Sequence, residues 1–323
     1  MPRTPLFPPN GVRAEIIQGE VGSCYLLTSL DLALNVVEGG RDLARQRFIE
    51  YPDGSIGIKI PRNRHSSHLD PAVIGSRYIL DKRDPNFDEW IIPKAEVDRI
   101  DSDSRVPKRG VSSSNCLAVK LLERLSTYYY VKPPRVAGIG ESILAHNHMG
   151  RGERYLDTAP GFVATLMGMH TDKLFGDHDM VSRSNNFNSN IQKLIHLKQI
   201  NPNSPVYIEM NYGQPDAFGR IHSAHALRVD KITPHPSIPG EYEFHLVNPW
   251  DNSPTKIEKF TIAELKRRSA WFSHFSMTPT HALVTNLLCQ CDVELGKRAH
   301  TNRHLMNALL MVSYYNHPID HWM

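Results

Sequence analysis

The stretch "IIQGEVGSCYLLTSLDLALN", Ile16 to Asn35, joins a glycine-punctuated turn to a nearly continuous apolar run, with Cys24 at the seam. From Cys24 to about Val37 the run is apolar almost all round, which for a helix means burial on most sides. Glu38-Gly39-Gly40 provides a C-terminal stop. Two readings of Cys24 stand: an inert packing residue at a helix start, or a nucleophile. The second draws on the positive end of the helix, which favours a thiolate. It also draws on Gly22-Ser23, where a substrate backbone can approach closely. Gln18, across the turn "GEVGS", carries an amide able to donate to an oxyanion.

Outward from this seam, the first dozen residues are extended, since Pro2, Pro5, Pro8 and Pro9 forbid regular helix. "RFIEYPDGSIGIKIP" sets Asp53-Gly54 between alternating apolar residues, which predicts a hairpin. The charged, proline-containing interval from Arg62 to Arg109 offers no clear periodicity. "SSSNCLAVKLLERLSTYYY" predicts a capped helix with Leu117, Leu121, Leu122 and Leu125 on one face and Cys116 packed. "GFVATLMGM" and "NIQKLIHLKQI" read as short helices. After Pro205 the character changes: "VYIEMNY", "SAHALRVDKI" and "EYEFHLVN" are β-prone runs, and Thr261 is the candidate cap of a later helix. Helices first and strands later predict an α+β protein of two lobes. The expected divisions are a lead-in over 1–13, a helical lobe over 14–170, a strand-rich lobe over 171–280 and a helical C-terminal extension over 281–323.

Composition narrows the function classes. The chain has 323 residues, 40% hydrophobic and 22% charged, as an ordinary globular protein does. A net charge of +3 with no basic block argues against nucleic acid. No apolar run reaches the roughly 20 residues of a membrane span, and the polar N-terminus lacks the apolar core of a secretory signal. Four cysteines make no disulfide framework, so a reducing compartment is expected and a thiol can stay free. Cys289-Gln-Cys291 has no second pair to complete a zinc site. His146/His148 and His300/His304 are the tightest histidine groupings; the second, at i, i+4 spacing, lacks the glutamate of a zinc-protease motif, and no metal and no cofactor are expected.

A cysteine nucleophile needs a histidine to move its proton and a polar group to orient that histidine. His222 and His225 open one β-prone run, and Asn248-Pro249-Trp250 ends the next. If the two strands pair, a histidine sits beside Asn248, whose carbonyl oxygen can accept an imidazole proton, with Trp250 shielding that bond from water.

In these segments the chain resembles the calpain family of papain-like cysteine proteases. "QGEVGSCYLLTSL" is similar to that family's cysteine motif, "HALRV" to its His-Ala-aromatic-Ser-Val motif, and "HLVNPW" to its Leu-Arg-Asn-Pro-Trp motif. "PLFPPNGVRAEI" resembles its lead-in and "VKLLERLSTYYY" the helix between, so the likeness runs in order from about Pro5 to Leu265. The resemblance implies a papain-like two-lobed fold and an endopeptidase acting on protein substrates. It implies Cys24 as nucleophile, His225 as base and acid, Asn248 as the orienting group and Gln18 as oxyanion donor. Gly22, Ser23 and Trp250 would line the substrate site. His222 is the rival base, and alignment of "HAL" favours His225. The same triad can serve a glutamine deamidase or an acyltransferase, and a non-catalytic scaffold can keep the fold. Ser23 stands where the family often has Asp, Tyr25 where it usually has Trp, and Asp251-Asn252 where it has Gly, so the cleft's shape is not carried over. No calcium-binding loop pattern is present, so calcium dependence is not carried over either. The expected setting is cytoplasmic, or export as an effector without a cleavable signal, with the C-terminal helices available to a regulatory or host partner.

Overall fold

The computed structural model describes residues 2–19, 23–61, 78–103, 112–129, 163, 166–167, 170–172, 182–213 and 223–276. They form an α+β arrangement with two antiparallel sheets. The first half carries α1 (Cys24–Asn35), α2 (Gly40–Arg45), β1 (Phe48–Glu50), β2 (Ile56–Pro61), β3 (Ile79–Asp81), β4 (Phe87–Ile92), α3 (Lys94–Asp103) and α4 (Leu117–Tyr129). The second half carries β5 (His170–Asp172), α5 (Ser182–Ile200), β6 (Val206–Tyr212), β7 (Ser223–Pro234), β8 (Tyr242–Val247), β9 (Ile257–Thr261), α6 (Ile262–Arg267) and β10 (Trp271–Ser276).

The expected hairpin forms. β1 pairs with β2, Gly54 takes φ +85°, and the Gly54 N–H closes the turn on the Tyr51 carbonyl. The interval without clear periodicity supplies β3 and β4, and the sheet order is β1-β2-β4-β3. The half expected to be helical is therefore α+β in its own right. "FDEWII" in β4 alternates strictly between half-buried and buried positions, a two-residue period interrupted in sequence by its acidic residues. The six-stranded sheet runs β5-β10-β6-β7-β8-β9, so β5 enters it at the boundary expected between the two lobes. The expected extension over 281–323 lies outside the described residues.

Two apolar cores explain the order of layers. One gathers α1, α4, β1, β2 and β4, and it includes Tyr207 of β6 and Ala226 of β7. The other gathers Phe187, Ile191, Leu194 and Ile195 of α5 with Ile208, Met210, Leu227, Val229 and Phe244. The six-stranded sheet is thus covered on both faces, which is why Val206-Tyr207-Ile208 are buried consecutively rather than alternately. Helix α1 buries every residue from Leu26 to Leu34, polar ones included. Gly40 at its exit lies so close to the Ala33 carbonyl that a Cβ would stand 2.0 Å from the oxygen. Thr261 caps α6 with a full capping box: its hydroxyl accepts from the Glu264 N–H (3.2 Å) and its own N–H reaches the Glu264 carboxylate (2.8 Å). Thr261→Ala is expected to cost about 1 kcal/mol, read as a lower urea midpoint with an unchanged slope.

Candidate active site

Helix α1 begins at Cys24, with Ser23 as its N-cap residue. The Ser23 side chain does not cap the helix. It turns inward, fully buried, and donates to Glu123 of α4 (2.6 Å), while the other Glu123 oxygen accepts from the Ser112 N–H (2.8 Å) and hydroxyl (2.7 Å). Ser23, expected to line the substrate site, is thus engaged in the interior, and its carbonyl accepts from the Leu26 and Leu27 N–H groups of α1. Burial pushes the Glu123 carboxyl up, against the hydrogen bonds from Ser23 and Ser112. Gly22 and His222 lie outside the described residues, as do His146, His148, Cys289, Cys291, His300 and His304.

One turn apart on α1, Cys24 and Thr28 grip the same residue of β7. The Thr28 hydroxyl donates to the Ala226 carbonyl (3.0 Å), and the Ala226 backbone lies close enough to the Cys24 thiol to favour its thiolate. The sulfur therefore sits at the backbone step from His225 to Ala226. Cys24 keeps partial exposure as a residue, but protein atoms crowd its sulfur, and burial pushes the thiol up to about 11. The Ala226 backbone and the first-turn amides of Tyr25 and Cys24 pull the other way, and the Glu209 charge adds to the rise. The helix start alone predicts a thiol eased toward thiolate; in this state burial outweighs it.

β7 and β8 pair antiparallel, with Arg228 opposite Val247, and this brings His225 to Asn248. His225 Nε2 lies 2.8 Å from Asn248 Oδ1. The amide's orientation follows from its other partners: its nitrogen donates to Glu258 (2.6 Å) and to the Tyr212 hydroxyl (3.2 Å), and its oxygen accepts from the Trp250 N–H (3.0 Å). Oδ1 is thus the acceptor and His225 Nε2 carries the proton, leaving Nδ1 as the basic nitrogen. The Trp250 ring lies 4.7 Å from the imidazole and is itself 51% exposed, so it roofs the His225–Asn248 bond. Burial lowers the His225 pKa, opposed by the Asn248 hydrogen bond and the Glu258 charge. Burial thus favours the neutral form of both the thiol and the imidazole.

Gln18 donates its N–H to the Pro249 carbonyl (2.9 Å), which holds its backbone against the Asn248-Pro249-Trp250 turn. Asn252, where the likeness departs, holds the same strand of lead-in. Its side chain accepts from the Ile16 N–H (2.9 Å) and donates to the Ala14 carbonyl (3.0 Å) and to Asp31 (2.9 Å). Cys116 is buried, with its thiol on the Leu6 carbonyl (3.3 Å), as a packed cysteine should be.

Two partners escape sequence reasoning. Tyr212 ends β6 and lies 4.7 Å from the His225 ring. Glu258 enters from β9, where it pairs with Leu246, and accepts from both Asn248 and the Tyr212 hydroxyl (2.6 Å). Only the register of β8 on β9 brings Glu258 here, and no local motif signals it. Among the described residues no group of three or more His, Cys, Asp or Glu is placed to hold a metal ion, and no helix is long and apolar enough to cross a membrane. No protein-family model matches this chain, and no curated protein matches it.

Proposed function

We propose that this chain is a calpain-like cysteine endopeptidase of papain-like architecture, with Cys24, His225 and Asn248 as its triad. The observation that carries the reading is the His225–Asn248 hydrogen bond of 2.8 Å, roofed by Trp250, at the backbone step that meets the Cys24 sulfur. Cys24 attacks a peptide carbonyl carbon while its proton passes to His225 Nδ1, so a C–S bond forms as the carbonyl π pair moves onto oxygen. The first-turn amides of α1, with the Gln18 side chain, stabilise that oxyanion. Collapse breaks the C–N bond, and the imidazolium gives its proton to the leaving amine. Water, deprotonated by His225, then opens the thioester to release the acid and restore the thiol. Because burial favours the neutral form of both groups, proton transfer accompanies attack instead of preceding it.

The test compares wild type with Cys24→Ala on a cell lysate, with new protein N-termini mapped by mass spectrometry. Wild type is expected to produce N-termini that the variant does not. Identical profiles would reject peptidase action, and Cys24-dependent conversion of side-chain amides to acids would assign the chain to deamidation.

A further inference from the structure

We propose that Asn252 is a positioning residue of this site, fastening the turn that carries Asn248 and Trp250 to the helix that carries Cys24. This rests on the acyl-transfer reading above.

Asn248 and Trp250 do not belong to a strand. They lie on the turn that leaves β8, which closes on itself through the Asp251 N–H on the Asn248 carbonyl (3.1 Å) and the Trp250 N–H on Asn248 Oδ1 (3.0 Å). A turn closed in this way moves as one body with whatever holds its ends. β8 holds one end, and Asn252 holds the other. Asn252 is 2% exposed, and both polar atoms of its side chain are engaged. Oδ1 accepts from the Ile16 N–H (2.9 Å), and Nδ2 donates to the Ala14 carbonyl (3.0 Å) and to Asp31 Oδ1 (2.9 Å). The Asn252 N–H adds a bond to the Ile16 carbonyl (3.1 Å).

These partners demand an amide. The Ile16 N–H only donates, while the Ala14 carbonyl and the Asp31 carboxylate only accept, so the position needs one acceptor and two donors on a short side chain. Both routes lead to α1. Asp31 lies on that helix two turns beyond Cys24, and Asn35 of the same helix holds Ala14 by its N–H (2.9 Å) and its carbonyl (2.9 Å). Asn252 therefore meets the helix directly through Asp31 and again through Ala14. A slip of the turn against α1 carries Asn248 with it, and with Asn248 the 2.8 Å bond that orients His225. A misplacement of about 1 Å in such a constellation costs about 10²-fold in rate.

The experiment uses the full chain with Asn252→Ala and Asn252→Asp, each alone and combined with Asn248→Ala. Asn252→Ala removes the whole clasp, whereas Asn252→Asp keeps the acceptor for Ile16 and sets a carboxylate against Asp31. The two leave different groups unpaired, so the test stands if one of them fails to fold. Labelling of Cys116, which is buried in the native chain, reports the unfolded fraction, and rates are expressed per folded molecule. Each substitution is expected to lower kcat by about 10–10²-fold while KM changes less than about threefold. In the Asn248→Ala background the same substitutions should change kcat by less than about threefold, because the group they position is gone. Equal losses in both backgrounds, or a loss wholly explained by the unfolded fraction, overturn the proposal. A second readout needs no turnover. The Gln18 N–H donates to the Pro249 carbonyl of this turn (2.9 Å), and its hydrogen exchange should quicken about tenfold or more in the variants while α5 is unchanged. Unchanged exchange at Gln18 overturns the proposal. If wild type cleaves nothing and Gln18 exchange still responds, the peptidase reading fails and the fastening of the turn by Asn252 stands.

Discussion

Arg228→Met is expected to destabilise the protein by about 3–5 kcal/mol, the cost of leaving a buried charge without its principal partner. Arg228 lies three residues beyond His225 on β7, and Asp31 lies two turns beyond Cys24 on α1. Their side chains are only 4% and 3% exposed, and the guanidinium joins Asp31 to Asp230 through separate nitrogens. Asp31 also accepts from Arg13 (2.8 Å), Asn35 (2.7 Å) and Asn252 (2.9 Å). One carboxylate thus ties the helix of Cys24 to the strand of His225, to the lead-in and to the turn after Trp250. Burial alone would raise the Asp31 pKa, but Arg228 and Arg13 outweigh it and hold the carboxyl below its usual range. A depressed folded pKa contributes stability that is present above the unfolded carboxylate value near 4 and is lost as pH falls through the folded one. In Arg228→Met the main source of that depression is gone, so the deficit should be largest at neutral pH and shrink in acid, where Asp31 is protonated in both proteins. Urea unfolding at several pH values checks this. A deficit independent of pH would mean that the loss is packing of the arginine stem and not charge. Arg228→Lys should recover little, because a single ammonium cannot reproduce two directed N–H contacts.

That clamp marks where the sequence is legible and where it is not. The apolar run places α1 at Cys24, the Asp-Gly pair the hairpin at Gly54 and the capping residue the helix start at Thr261, because each depends on neighbours within a few residues. The His225–Asn248 contact was accessible too, since two adjacent β-prone runs with a turn-rich connector form a hairpin-like pair. Asp31 inside an apolar helix shows no partner in sequence, and Arg228 lies 197 positions away. Glu258 and Glu209 take their places from strand register, which a single shift would move to the opposite face. Burial is the other hidden quantity. The helix start points to an eased thiol, and only the packing around α1 shows that desolvation prevails.

His225→Ala is expected to lower Cys24-dependent peptide turnover by roughly 10²–10⁴-fold, the usual contribution of a positioned acid–base group. The loss should be at the high end, because the thiol rests neutral with a pKa pushed up to about 11 and has little thiolate of its own at neutral pH. Glu258 sharpens the test, since its hydrogen bond reaches His225 through Asn248. It accepts from Asn248 Nδ2 (2.6 Å) and the Tyr212 hydroxyl (2.6 Å), and its charge favours the protonated imidazole. In Glu258→Gln the amide nitrogen faces one of those donors, so the Asn248 carboxamide is free to rotate away from His225. The imidazolium also loses a favourable charge, so the His225 pKa falls further and the acid limb of kcat/KM moves to lower pH while kcat drops. A purely structural role would lower the active fraction without moving that limb. The order of effects should be His225→Ala, then Asn248→Ala, then Glu258→Gln. A Glu258→Gln profile superimposed on wild type would sever the line from β9 to the histidine.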